Sequence, residues 1–300
     1  MTRLLTLAMV QSPHEDLKAF ASGVERRLRS TSCDLLVYPE YHVVREDTTG
    51  LEESFAEFAE SEAEPLNGPR GDTFSQLAGD LKTWLIPGSV IERGDDGALY
   101  NTALVYSPEG QLAASYRKTF PFRPVETVAP GSGFTVFEMA GFGRVGLSVC
   151  YDAWFPEVSR HLAWMGAELV VNVVATSTND RTQEVVLAQA NAIVNQNFVA
   201  SVNGAGPLGM GKSLLVDPEG RIRTQSITAE PVTLVDVIDL DTVTSVRKRG
   251  TAGVTRPWDH FQGSDTPVQL PFYNGQIDPE KWRSVSTRTT SVETDKGEPS

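Results

Sequence analysis

Residues 144–160 read RVGLSVCYDAWFPEVSR, an apolar run that ends on a single cysteine and turns into a helix. Val145, Leu147 and Val149 read as a buried strand. Pro156 and Glu157 suit a first helical turn, with Val158, Leu162 and Met165 following on one face. Such a strand-to-turn-to-helix junction holds one side chain, Cys150, at the end of a sheet, and the backbone N–H groups just after it point the same way. A thiol there is expected to have a lowered pKa and an oxyanion site beside it. A small buried thiol is the plain alternative, and the rest of the chain has to decide between them.

Outward from this stretch the apolar runs are continuous. Leu4–Val10, Asp34–Tyr38, Leu169–Val174, Phe198–Val202, Ser213–Val216 and Val232–Ile238 read as strands covered on both faces. Asp16–Arg29 places Leu17, Phe20, Val24 and Leu28 on one helical face, and Thr73–Lys82 does the same with Phe74, Leu77 and Leu81, with Asp72 as N-cap. Asp180 and Gln183 have capping-box spacing for a helix that buries Val186, Ala190, Ile193 and Val194. Trp84–Glu92, Leu99–Tyr106 and Gln111–Tyr116 form a meander through GDDG and SPEG turns. Arg45–Asp72 is acidic and reads as a solvated helix and a loop. The α/β pattern fits a layered sandwich, helices outside two sheets; a doubly wound single sheet leaves the meander unexplained.

Three hundred residues with 40% hydrophobic content suffice for one large domain, taken as residues 1–270. Residues 271–300 read as a C-terminal extension, polar and disordered from Ser284 or used in contacts between copies. Two cysteines, Cys33 and Cys150, make no disulfide framework, and the N-terminus lacks the apolar stretch of a secretory leader, so a cytoplasmic location is expected. A net charge of −13 and the lack of a membrane-length apolar run argue against nucleic acid and membrane partners. His14, His42, His161 and His260 show no ligand spacing, so no catalytic metal is expected; His161 reads as a helix-surface residue. GPLGMGKS at 206–213 matches the phosphate-loop pattern, but LLV and a DPEG turn follow Ser213 where the mechanism needs a helix, so nucleotide hydrolysis is a distant alternative.

Two further residues stand out. Glu40 directly follows the strand DLLVYP, at the carboxyl end of a parallel strand, where open α/β folds place ligand sites. Lys118 leaves the meander in YRKTFPF, between aromatic residues and proline, and the proline-rich loop after it carries Glu126. If these strands are neighbours, a carboxylate can take the thiol proton, and the ammonium with the Tyr151 N–H can bind an oxyanion. The reaction class is acyl transfer. Tyr41, Tyr151, Trp154 and Phe122 are candidates to line a small apolar pocket.

YPEY around Glu40, YRKTFPF around Lys118 and SVCYDAWFPEVSR around Cys150, in that order, resemble the nitrilase superfamily of carbon–nitrogen hydrolases, over about Leu4 to Phe261. The resemblance implies a four-layer α-β-β-α sandwich and a Glu40, Lys118, Cys150 triad. It also implies Glu126 as a second, substrate-positioning glutamate, no cofactor, and a homodimer or larger homo-oligomer. It implies hydrolysis of a small amide, nitrile or carbamoyl compound through a thioester. Tyr41 after the glutamate, and Tyr151 and Asp152 after the cysteine, are most similar to the amidases; nitrilases, carbamoyl-amino-acid hydrolases and a non-catalytic binding protein stay as alternatives. A substrate carboxylate would need a cation, for which Arg123 or Arg181 could serve.

Overall fold

The structure, a computed structural model, describes residues 2–44, 54–278 and 280–282. The chain runs β1 (Leu4–Gln11), α1 (Leu17–Ser30), β2 (Leu35–Val37), α2 (Phe55–Glu62), α3 (Pro69–Leu81), β3 (Trp84–Ile86), β4 (Ser89–Arg93), β5 (Leu99–Tyr106) and β6 (Leu112–Arg117). After β7 (Val136–Met139) and β8 (Gly143–Val149) come a 3-10 turn over Cys150–Trp154, α4 (Pro156–Trp164), β9 (Leu169–Val174), α5 (Arg181–Asn195) and β10 (Phe198–Asn203). β11 (Leu214–Val216), β12 (Ile222–Gln225), β13 (Val232–Asp239), α6 (Asp241–Arg249) and the hairpin β14 (Val268–Leu270), β15 (Gly275–Ile277) follow.

One sheet has the order β13-β1-β2-β3-β5-β4 with β6 on β5, and the other β12-β11-β10-β9-β8-β7. β1, β2 and β3 run parallel, as do β8, β9 and β10. Leu5, Leu7, Met9, Val37 and Val105 of the first sheet pack between the layers against Val145, Leu147, Val171 and Val202 of the second. Phe20 and Val24 of α1, with Phe74 and Leu77 of α3, cover the outer face of the first sheet. Val158, Leu162, Ala188 and Ala192 of α4 and α5 cover that of the second. Strands buried on both faces need both coverings, which is why they read as unbroken apolar runs. The architecture is the expected α-β-β-α sandwich.

Several local expectations change. α3 begins at Pro69 with Gly68 as N-cap, so Asp72 lies inside the first turn, where its charge still favours the helix. The Trp84–Glu92 strand is broken at Pro87–Gly88 into β3 and β4. Gly88 has φ +94, and a Cβ there would lie 1.7 Å from the Pro39 carbonyl oxygen. The acidic helix is α2, closed at its start by a Ser54–Glu57 capping box; Glu62 is buried rather than solvated and pairs with Arg70 at 3.7 Å. Residues 45–53 of that stretch, and the tail from Ser284, lie outside the described residues.

α5 is rotated from its expected face. Arg181, Glu184, Ala188, Ala192 and Asn195 are buried, whereas Val186, Ile193 and Val194 are 61%, 48% and 46% exposed. Small alanines let the helix lie close on β9 and β10, which outweighs burial of the larger stripe. Asp180 is the N-cap but makes no capping hydrogen bond, and its carboxylate takes the Thr178 hydroxyl instead.

Candidate active site

The carboxyl ends of β2, β6, β8 and β9 meet at one cleft of about 530 Å³, lined by Glu40, Lys118, Glu126 and Cys150 together with Tyr41, Tyr151, Phe122 and Thr176. Glu40 and Lys118 come from the first sheet and Cys150 from the second, so the cleft exists only because the sheets face each other. Each group is fixed by local chain geometry. Gly88 admits the Pro39 carbonyl, Tyr38 N donates to Ile86 O at 2.9 Å, and Tyr41 N donates to Ser89 Oγ at 3.3 Å, which pins Glu40. Tyr41 and Cys150 both adopt left-handed backbone, φ +50 and +47. For non-glycine residues this costs about 1–3 kcal/mol each and is a frequent mark of a working site.

Lys118 is 1% exposed, and its Nζ donates to Glu40 Oε1 at 3.0 Å and to Glu126 Oε2 at 2.7 Å. Tyr41 Oη donates to Glu126 Oε1 at 2.7 Å, and Asn101 Nδ2 donates to Glu40 Oε1 at 2.7 Å and to Glu126 Oε1 at 3.1 Å. Two carboxylates around one ammonium cannot be equivalent. Burial pushes the Glu40 carboxyl above its usual range despite Lys118, with Glu126 adding to the rise. For Glu126 burial is outweighed by Lys118 and by the Phe122 N–H and Tyr41 hydroxyl, which hold it below. Burial works against the Lys118 charge, but Glu40, the Cys150 sulfur and Glu126 reverse this and keep it an ammonium.

The thiol departs from expectation. Burial first, then the Glu40 charge, push Cys150 well above the ordinary thiol range; Lys118 and the Ala175 N–H oppose this, and Glu184 adds to the rise. A helix N-terminus alone suggested the opposite sign. The sulfur's side-chain partner is Thr176 Oγ1 at 3.8 Å, and that hydroxyl donates its one proton to Glu184 at 2.8 and 3.0 Å. Thr176 N donates to Asn203 Oδ1 and Asn203 Nδ2 to Thr176 O, which aligns the ends of β9 and β10 beside Cys150.

Among the remaining candidates, Tyr151 lines the cleft edge-on to Phe122, ring centroids 5.1 Å apart. Trp154 does not line it; its ring sits 6.1 Å from Tyr151 on the 3-10 turn. Neither arginine lines the cleft. Arg123 is turned onto the Glu126 and Val128 carbonyls. Arg181 is fully buried, its five N–H groups on Glu184, Ser201, Gly211 and Lys212. Asn101, Thr176 and Glu184 escaped the sequence reading, although an asparagine inside the apolar LYNTALVY strand was a visible signal. The GPLGMGKS loop forms no phosphate cradle. Ser213 is buried, with its Oγ on the Asn203 backbone and its N–H on Gln11, and the next residue starts β11.

No helix among the described residues is long and apolar enough to cross a membrane, and no group of three or more His, Cys, Asp or Glu among them is arranged to hold a metal ion. Residues 6–248 match the protein family described as carbon-nitrogen hydrolase. The chain is 32% identical to the human Omega-amidase NIT2 over 203 residues, 62% of this chain and 72% of that protein. It is also 32% identical to a Bradyrhizobium formamidase over 213 residues, 69% of this chain and 60% of that one. The crystal structure of Saccharomyces cerevisiae Nit3, described as a member of branch 10 of the nitrilase superfamily, superposes with a TM-score of 0.71 at 25% identity. It covers 82% of this chain and 94% of that one. An amidase from Nesterenkonia shares the fold, with a TM-score of 0.64 at 24% identity over 81% of this chain and 94% of that one.

Proposed function

The chain belongs to the carbon–nitrogen hydrolase family, and on that footing we propose that it is a cysteine-dependent amidase that releases ammonia from a small amide through a thioester. The observation that carries this reading is the bonding of Lys118 Nζ to Glu40 and Glu126 in the cleft that also holds Cys150. The amide substrate is supported by the Omega-amidase and formamidase relatives, which bear those names for their own activities.

Glu40, raised toward neutrality, is matched to act as a base and then as an acid. It takes the thiol proton as Cys150 sulfur attacks the amide carbon, and the carbonyl π pair moves to oxygen. Lys118 Nζ and the Tyr151 N–H hold that oxyanion. Collapse breaks the C–N bond, nitrogen leaves as ammonia with the proton from Glu40, and a thioester remains on Cys150. Water then attacks the thioester while Glu40 takes one of its protons. The C–S bond breaks, the sulfur recovers that proton, and the acid departs. Glu126, kept ionised, holds Lys118 and, through Tyr41, one wall of the cleft.

Cys150→Ala should abolish ammonia release from every amide while the protein stays folded. Intact mass with a slow substrate should show the acyl adduct on Cys150; an adduct on Cys33, or turnover in the variant, would refute the assignment. The exposed Val186, Ile193 and Val194 stripe supports a homo-oligomer. The C-terminal segment reaches α4 of its own chain, where Trp164 Nε1 donates to Lys281 O at 3.0 Å; that residues 271–300 also join contacts between copies is part of the proposal, and light scattering tests it.

A further inference from the structure

The cations at the cleft are already taken up by its own carboxylates. Lys118 carries the only permanent positive charge among the described lining residues, and two carboxylates hold it. Glu184 is paired with Arg181 at 3.0 Å, and Asp180 adds a negative charge beside Thr178. His14, at the wall under Tyr41, is kept neutral at pH 7 by burial and by His42. The rest of the described lining is largely apolar: Val44, Phe55, Phe58, Val125, Leu208 and the Phe122 ring. Phe55 and Phe58 of α2 meet Tyr41 at 6.1 and 5.6 Å, giving a fixed aromatic surface. At about 30 Å³ per water-sized group, 530 Å³ holds a dozen or more non-hydrogen atoms, far beyond formamide.

From this we infer that the cleft selects amides with an uncharged, apolar acyl chain of several carbons, and rejects amides that carry a second, ionised carboxyl group. The inference rests on the amidase reading and deepens it. A substrate carboxylate would lose its water and meet no free cation among the described lining residues, beside four acidic side chains. A methylene, in contrast, gains about 0.8 kcal/mol on burial, roughly fourfold.

The test is kcat/KM for acetamide, butyramide and hexanamide, and for adipic acid monoamide, which is hexanamide with a terminal carboxylate. Binding of the same four to the Cys150→Ala protein is measured alongside. The expected result is a rise of about fourfold per methylene along the neutral series, and a loss of about a hundredfold or more for the carboxylate, in both measurements. Turnover that is flat with chain length, or that favours the carboxylate, overturns the inference and leaves the amidase reading standing. Absence of turnover on all four, with the same ranking in binding, sinks the amidase reading and leaves the cleft selectivity intact.

Discussion

Thr176 Oγ1 lies 3.8 Å from Cys150 Sγ with its own proton already donated to Glu184, so it faces the sulfur as an acceptor. That arrangement favours the neutral thiol. The groups around the sulfur are Glu40, Lys118, Tyr41, Glu184 and Arg181, and of these Glu184 is the acid outside the Lys118 cluster. Glu184→Gln should lower the thiol pKa and speed iodoacetamide alkylation of Cys150 at pH 7.5 about tenfold. Glu184→Asp should stay slow. An unchanged rate in the glutamine variant would remove Glu184 from any influence on the nucleophile.

Asn101 Nδ2 bridges the two glutamates, and the residue is fully buried on β5. Asn101→Ala should lower kcat about tenfold to a hundredfold, the 1–3 kcal/mol typical of a lost hydrogen bond to a buried charged group, with KM little changed. Asn101→Asp should be worse, since a third carboxylate would compete for Lys118. Steady-state kinetics on both variants decide this, and wild-type kcat in either would sink the bridging role.

His14 gives a pH dependence of stability. Burial, with His42, lowers its pKa to about 4 from 6.5. Between those values the unfolded chain binds a proton that the folded chain refuses, so stability is full above pH 6.5 and falls as pH drops toward 4. The loss attributable to this group is on the order of 3 kcal/mol. Urea unfolding of the native protein and of His14→Gln at pH 7 and pH 4.5 should show a smaller acid loss in the variant. Equal losses would contradict the assignment.

Gly88→Ala should damage activity more than folding. A methyl group at φ +94 is strained, and its contact is the Pro39 carbonyl two bonds from the Glu40 backbone. We expect a folded protein at 25 °C with a lowered Tm and kcat down more than tenfold. A variant with the native kcat would show that this approach does not position Glu40.

How much of this was readable in advance follows from the kind of force involved. Glu40 and Cys150 each follow an apolar strand and Lys118 ends the meander at β6, and β-strand ends are local features that a sequence displays directly. The face of α5 was misread because two stripes share helical spacing, and only the distance to β9 and β10 selects the alanine face. The sign of the thiol shift was lost for a similar reason. A helix start is visible in sequence, whereas burial and two carboxylates from residues 40 and 184 are visible only after folding. Trp154 was a candidate to line the pocket, and the 3-10 turn carries it elsewhere.

β13 pairs with β1 in the first sheet, yet α6 directly after it sends Arg247 to the Gln196, Asn195 and Ala167 carbonyls, at the outer side of the second. This strap couples the two halves of the molecule mechanically. Loosening it, by truncation before residue 240 or by Arg247→Met, would let one half slide on the other, and turnover would fade while each half kept its own secondary structure. Catalytic output in this architecture is therefore a gauge of how the layers are aligned.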